Sequence, residues 1–96
     1  MSLGELVQEK RKDILQVAAQ RGARNVRLFG SVARGESSTG SDVDFLVDLE
    51  PDRSLFDLAQ LIIDLEDLLG CKVDVVTEDA IYWLLRRRIL KEARPL

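Results

Sequence analysis

Apolar residues recur near the N-terminus at Leu3, Val7, Ile14 and Ala18, close to the spacing of one helical face. Ser2 with Glu5 has the form of a capping box and Gly22 that of a stop, so a first helix is predicted to end at Gly22. Val26 to Phe29 then reads as a short strand. Glu36 to Ser41, polar and flanked by Gly35, reads as a loop. The clearest alternation is Asp42 to Leu49, with Val43, Phe45, Val47 and Leu49 on one face of a strand. Pro51-Asp52 marks a turn. Ser54 with Asp57 opens a long helix whose stripe is Leu55, Leu58, Ala59, Ile62, Leu65 and Leu69, closed by Gly70. Lys72 to Val76 forms a third strand. Thr77-Glu78-Asp79 starts a last helix with Ile81, Leu84 and Leu85 as its buried stripe, and Arg94-Pro95-Leu96 reads as a terminal edge segment. The order α-β-α-β-α-β-α predicts an α/β or α+β fold with a small mixed sheet.

The 96 residues carry 46% hydrophobic and 32% charged positions, enough for one core and too few for two domains, so residues 1–96 are expected to form one domain. A chain of this size gains from a partner, so a homo- or hetero-oligomer fits. Net charge is −3, which gives no general basic face for a nucleic-acid backbone. Cys71 is the one cysteine, and no histidine occurs. An intrachain disulfide is thereby excluded and any metal must rely on oxygen ligands, which suit Mg²⁺. Without a signal-like or transmembrane-length apolar run, the expected setting is cytoplasmic and off the membrane.

Candidate chemistry gathers on the polar side of two strands. Asp42 and Asp44 lie two residues apart, so their side chains leave one strand face with Cα atoms about 6–7 Å apart. That spacing suits two cations about 3.5–4 Å from each other. Asp74 interrupts the apolar Val73 and Val75 in the same way. If the long helix makes a βαβ crossover, Asp74 joins the first two on one face. At about 5 Å and an effective dielectric near 20, each like-charged pair costs about 3 kcal/mol, which calls for a divalent cation or for protonation of one member. Gly30 at a strand end lets a phosphate approach the backbone. Ser31 is placed to cap the turn Val32-Ala33-Arg34, and Arg34 to add a charge-assisted phosphate contact. The plainer reading makes the acids a solvated strand face paired with Arg27 or Lys72. By the same token Arg86-Arg87-Arg88 is a solvated helix face, the other reading being a nucleotide or partner contact, Tyr82 and Trp83 pack on the core or a subunit interface, and Cys71 is a small buried or half-buried residue.

Leu28-Phe29-Gly30-Ser31-Val32-Ala33-Arg34-Gly35-Glu36 followed by Ser41-Asp42-Val43-Asp44 resembles the signature of DNA polymerase β-like nucleotidyltransferases. More narrowly it resembles the minimal nucleotidyltransferase (MNT) antitoxins. The family pattern is Gly-Ser, ten residues, then Asp-x-Asp, and residues 32–41 supply the ten. The resemblance implies the nucleotidyltransferase fold, with Asp42, Asp44 and Asp74 as catalytic metal ligands for two Mg²⁺ ions, and Gly30 and Ser31 holding the triphosphate of ATP. It also implies a HEPN-domain ribonuclease toxin as partner, neutralised by transfer of AMP to one of its tyrosines. Two other readings remain: an antitoxin that works by binding alone, and a transferase acting on a small molecule such as an aminoglycoside. With carboxylates as the only protein ligands, Mg²⁺ is expected to bind weakly until triphosphate oxygens complete its shell.

Overall fold

A computed structural model describes residues 2–36, 42–81 and 83–96. Helix α1 (Leu3–Glu9) begins at the Ser2/Glu5 capping box: the Glu5 backbone N–H donates to Ser2 Oγ at 3.1 Å. The expected single first helix is broken at Lys10, whose backbone (φ −93°, ψ 10°) leaves helical geometry before α2 (Arg11–Gln20) resumes. The break lets Val7 and Ile14, each fully buried, face the same core from two differently directed helices.

Strand β1 spans Ala23–Phe29, longer than the sequence pattern suggests, because Asn25 adopts φ +50° and a bulge between Arg24 and Arg27 resets the alternation. A single helical turn, α3 (Gly30–Ala33), follows directly. Strand β2 (Val43–Leu49) then pairs antiparallel with β1. Helix α4 (Leu55–Leu69) carries a second capping box: the Ser54 N–H donates to Asp57 Oδ2 at 3.0 Å. It ends at Gly70 in the left-handed region, φ +67°. Strand β3 (Val73–Thr77) runs parallel to β2, so β2-α4-β3 is the crossover unit the sequence pattern requires. A 3₁₀ turn (Glu78–Ala80), helix α5 (Trp83–Glu92) and the two-residue strand β4 (Arg94–Pro95) complete the chain. The sheet order is β3-β2-β1-β4, mixed, with β4 at the edge beside β1 as expected of the terminal segment.

The core lies between one sheet face and helices α1, α2 and α4. Val43, Phe45 and Val47 of β2 meet Leu61 and Leu65 of α4, all essentially without solvent exposure. Leu46 is also fully buried although it points to the opposite face, outside that cluster. It stands in register with Arg27 on one side and Val76 on the other. The stripe expected on α5 is not buried: Leu84 is 58% and Leu85 47% exposed, and no described residue of α5 is buried. Trp83, 72% exposed, is likewise outside the core. The reason is topological. The three earlier helices already cover the apolar sheet face, so α5 is left at the periphery against α3. Tyr82 and most of the predicted polar loop, residues 37–41, lie outside the described residues.

Candidate active site

Register brings the acids together. Asp44 on β2 stands directly opposite Asp74 on β3 in the parallel pairing, and Asp42 immediately precedes β2. The Val43 N–H donates to the Lys72 carbonyl at 3.0 Å, which pins the start of β2 to the start of β3 and holds Asp42 at the same end. Val43, Phe45, Val73 and Val75 bury the other face of both strands, so Asp44 and Asp74 must leave from the face away from α4. Asp74 is exposed, whereas Asp42 and Asp44 are half-buried.

The electrostatics carry the mark of a shared site. Burial, then the charges of Asp74 and Asp42, push the Asp44 carboxyl up to about 6, and Arg34 pulls weakly the other way. Among the described residues none of the three acids has an ion pair; Arg27, offered by the sequence as their partner, instead binds Asp48 at 3.0 Å and Glu78 at 2.7 Å. The Cys71 thiol is raised by burial, then by Glu66 and Asp42, and so stays protonated beside the acids. Among the described residues, no three acidic or thiol side chains are gathered tightly enough to hold a metal on their own. The donor set nonetheless fits a hard divalent cation. It is all carboxylate, partly open to solvent, and short of positive charge in a way that Asp44 registers directly.

Gly30 closes the site from β1. Its φ of +76° turns the chain off the strand, and a Cβ added there would collide with Asp44 Oδ2. The residue is thus required twice, once by its backbone and once by the carboxylate against it. Because this turn starts the helix at Gly30, Ser31 lies inside α3 and does not cap it. The N-cap position is Phe29, which makes no side-chain cap bond. Arg34 is also engaged otherwise than expected, paired with Glu36 at 2.9 Å and Glu92 at 3.1 Å. Of the α5 residues that border the Gly30 side of the site, Glu92 was not singled out in the sequence, and Arg88 only as part of the basic run 86–88. Their separation from Gly30 by more than fifty residues left no local signal.

A small mixed sheet with a βαβ unit, a Gly-Ser turn after β1 and acids on adjoining strands defines a nucleotidyltransferase fold. Residues 10–96 match the nucleotidyltransferase domain model, and the chain belongs to that family. A protein of Methanocaldococcus jannaschii named as a candidate protein adenylyltransferase, MJ0435, is 40% identical over 91% of this chain and 94% of its own. Protein adenylyltransferase MntA of Thermococcus cleftensis is 41% identical over 74% of this chain and 72% of its own. Among solved structures, one described as a candidate minimal nucleotidyltransferase superposes with a TM-score of 0.89 at 47% identity, covering all of this chain and 97% of that one. A toxin–antitoxin crystal structure with AMP-PNP gives a TM-score of 0.75 at 20% identity over 88% of this chain and 69% of that one, a likeness of fold alone. The chain is a nucleotidyltransferase with a nucleotide as substrate. Among the described residues, no helix is long and apolar enough to cross a membrane.

Proposed function

We propose that this protein transfers AMP from ATP to a hydroxyl of a partner protein, as the cytoplasmic MNT antitoxin of a HEPN/MNT pair, with a tyrosine of the HEPN ribonuclease toxin as acceptor. Residues 1–96 would act as one minimal domain whose acceptor recognition comes from the partner. The observation that carries the reading is the register of Asp44 opposite Asp74, with Asp42 at the same strand ends and Gly30 against Asp44. The names of the relatives supply the acceptor class.

In the reaction the acceptor oxygen attacks the α-phosphorus, the bond from that phosphorus to the β-bridging oxygen breaks, and pyrophosphate leaves with the electron pair. Asp42, Asp44 and Asp74 would hold two Mg²⁺ ions, which when bound offset the triphosphate charge and acidify the acceptor hydroxyl. Gly30 and Ser31 would keep the triphosphate aligned for in-line displacement, Gly30 by leaving room for the Asp44 carboxylate against the turn. Asp74, the most exposed of the acids, would accept the acceptor's proton.

The test is incubation with labelled ATP, Mg²⁺ and a HEPN-domain partner. Label on a partner tyrosine that disappears in the Asp42→Ala/Asp44→Ala variant is the expected result. Toxin neutralisation that survives this double variant unchanged would show an antitoxin acting by binding alone. Transfer to an aminoglycoside without any partner would show a small-molecule transferase.

A further inference from the structure

Between α3 and α5 lies an open cleft of about 170 Å³ whose wall is mostly apolar, from Phe29, Leu85 and Ile89, with Gly30, Arg34, Arg88 and Glu92 as its polar lining. We infer that this cleft seats the terminal phosphates of the nucleotide, that Arg88 binds them beside Arg34, and that Glu92 is the internal anion bridging the two guanidiniums until the nucleotide arrives, with Arg34 held by Glu36 as well. The inference rests on the nucleotidyl-transfer reading of the adjoining acids.

Three observations support it. First, cleft and acids share a wall. Gly30 both lines the cleft and abuts Asp44, and Arg34 lies close enough to Asp44 to act on its carboxyl. A triphosphate with its α-phosphate at the acids would therefore have the cleft next to it, with Gly30 shared between the two. Second, Glu92 stands in an unfavourable place. It is the last residue of α5, where the helix presents its negative end, and a carboxylate there needs cations to hold it. Both oxygens are used: Oε2 accepts from Arg34 Nη1 at 3.1 Å and Oε1 from Arg88 Nε at 3.2 Å. A carboxylate bridging two guanidiniums does what a phosphate would do with twice the charge and an additional acceptor oxygen.

Third, the pairs are exchangeable. Arg88 is 68% and Arg34 36% exposed, so water screens both contacts and a more highly charged anion displaces Glu92 readily. The basic run is thereby sorted residue by residue. Arg86 is tied to Glu78 through its backbone carbonyl and carboxylate, Arg87 does not line the cleft, and Arg88 alone of the three does. The acids next door need cations, and the cleft offers a place where the remaining negative charge of the nucleotide meets protein cations instead.

The test is equilibrium binding of AMP-PNP and of AMP, the latter by competition, to the full chain in Mg²⁺. Arg88→Ala should weaken AMP-PNP binding about 10-fold, the loss of one hydrogen-bonded charge contact, and leave AMP unchanged. Arg88→Lys should recover part of that loss. Glu92→Gln should tighten AMP-PNP about 3-fold, because the competing anion is gone, whereas a purely structural role would weaken it or leave it unchanged. Unchanged AMP-PNP binding in Arg88→Ala, or equal weakening of AMP and AMP-PNP, overturns the inference. The thermal unfolding of each variant is followed alongside, and Glu92→Gln decides the question should Arg88→Ala prove unstable. A wild-type chain that binds no AMP-PNP overturns the functional reading itself, and with it this one.

Discussion

Replacing Asp44 with Asn should make the metal-free protein more stable while abolishing its activity. The reason is the like charge around it. A carboxyl moved from its ordinary 3.8 to about 6 on folding corresponds to about 3 kcal/mol at 1.36 kcal/mol per pH unit. Asp44 is only half-buried, so solvent screening leaves about half of this, near 1.5 kcal/mol. The sign follows from proton binding. Between the unfolded and folded values, roughly pH 4 to 6, the folded state holds the proton more tightly, so wild-type stability falls as pH rises through that window and stays reduced above it. The neutral amide lacks this loss. Urea unfolding in EDTA should therefore find Asp44→Asn more stable by about 1.5 kcal/mol at pH 8, a rise of about 5–10 °C in melting temperature, and no more stable near pH 4. Mg²⁺ with AMP-PNP should narrow the gap by stabilising wild type alone. Equal stabilities at pH 8, or a gap that is the same at pH 4, would refute the account of Asp44 as a carboxylate strained by its neighbours.

Three further outcomes follow from the same geometry. Gly30→Ala should cost about 1–2 kcal/mol for its left-handed backbone alone. It should also displace Asp44, so nucleotidyl transfer should fall further than stability, measured by unfolding and by label transfer. Arg27→Ala should destabilise by about 2 kcal/mol in urea, since it leaves Asp48 and Glu78 facing each other beside buried Leu46, while AMP-PNP binding is retained. Calorimetry should find weak Mg²⁺ binding to the nucleotide-free chain and much tighter binding with AMP-PNP present; tight binding without nucleotide would contradict the expectation that triphosphate oxygens complete the shell.

What could be read in the sequence was what local chemistry decides. Two capping boxes, the glycine stop after α4 and the alternation of β2 each depend on residues within a few positions of one another, and each is found in the structure. The meeting of Asp44 with Asp74 was legible at longer range only because the crossover rule fixes how β2 and β3 must lie. The rest depended on competition for space. The apolar residues of α5 have helical spacing, but the sheet face they would cover is already taken by α1, α2 and α4. Leu46 has the parity of the acids and is buried all the same, because Arg27 and Val76 flank it in register across the strands. The bulge at Asn25 and the pairing of Arg34 with Glu92 likewise depend on segments distant in the chain.

The sheet order has one more consequence. Because β3 is the outermost strand, Asp74 has a neighbouring strand on one side and none on the other among the described residues. Under the proposed function, an acceptor would therefore approach the acids sideways, across a rim of the sheet that no strand borders among the described residues. Such an approach places little limit on the bulk behind the reacting hydroxyl. A side chain still attached to a whole folded protein can be presented there as easily as a free metabolite, and discrimination between them falls to whatever grips the partner away from the acids.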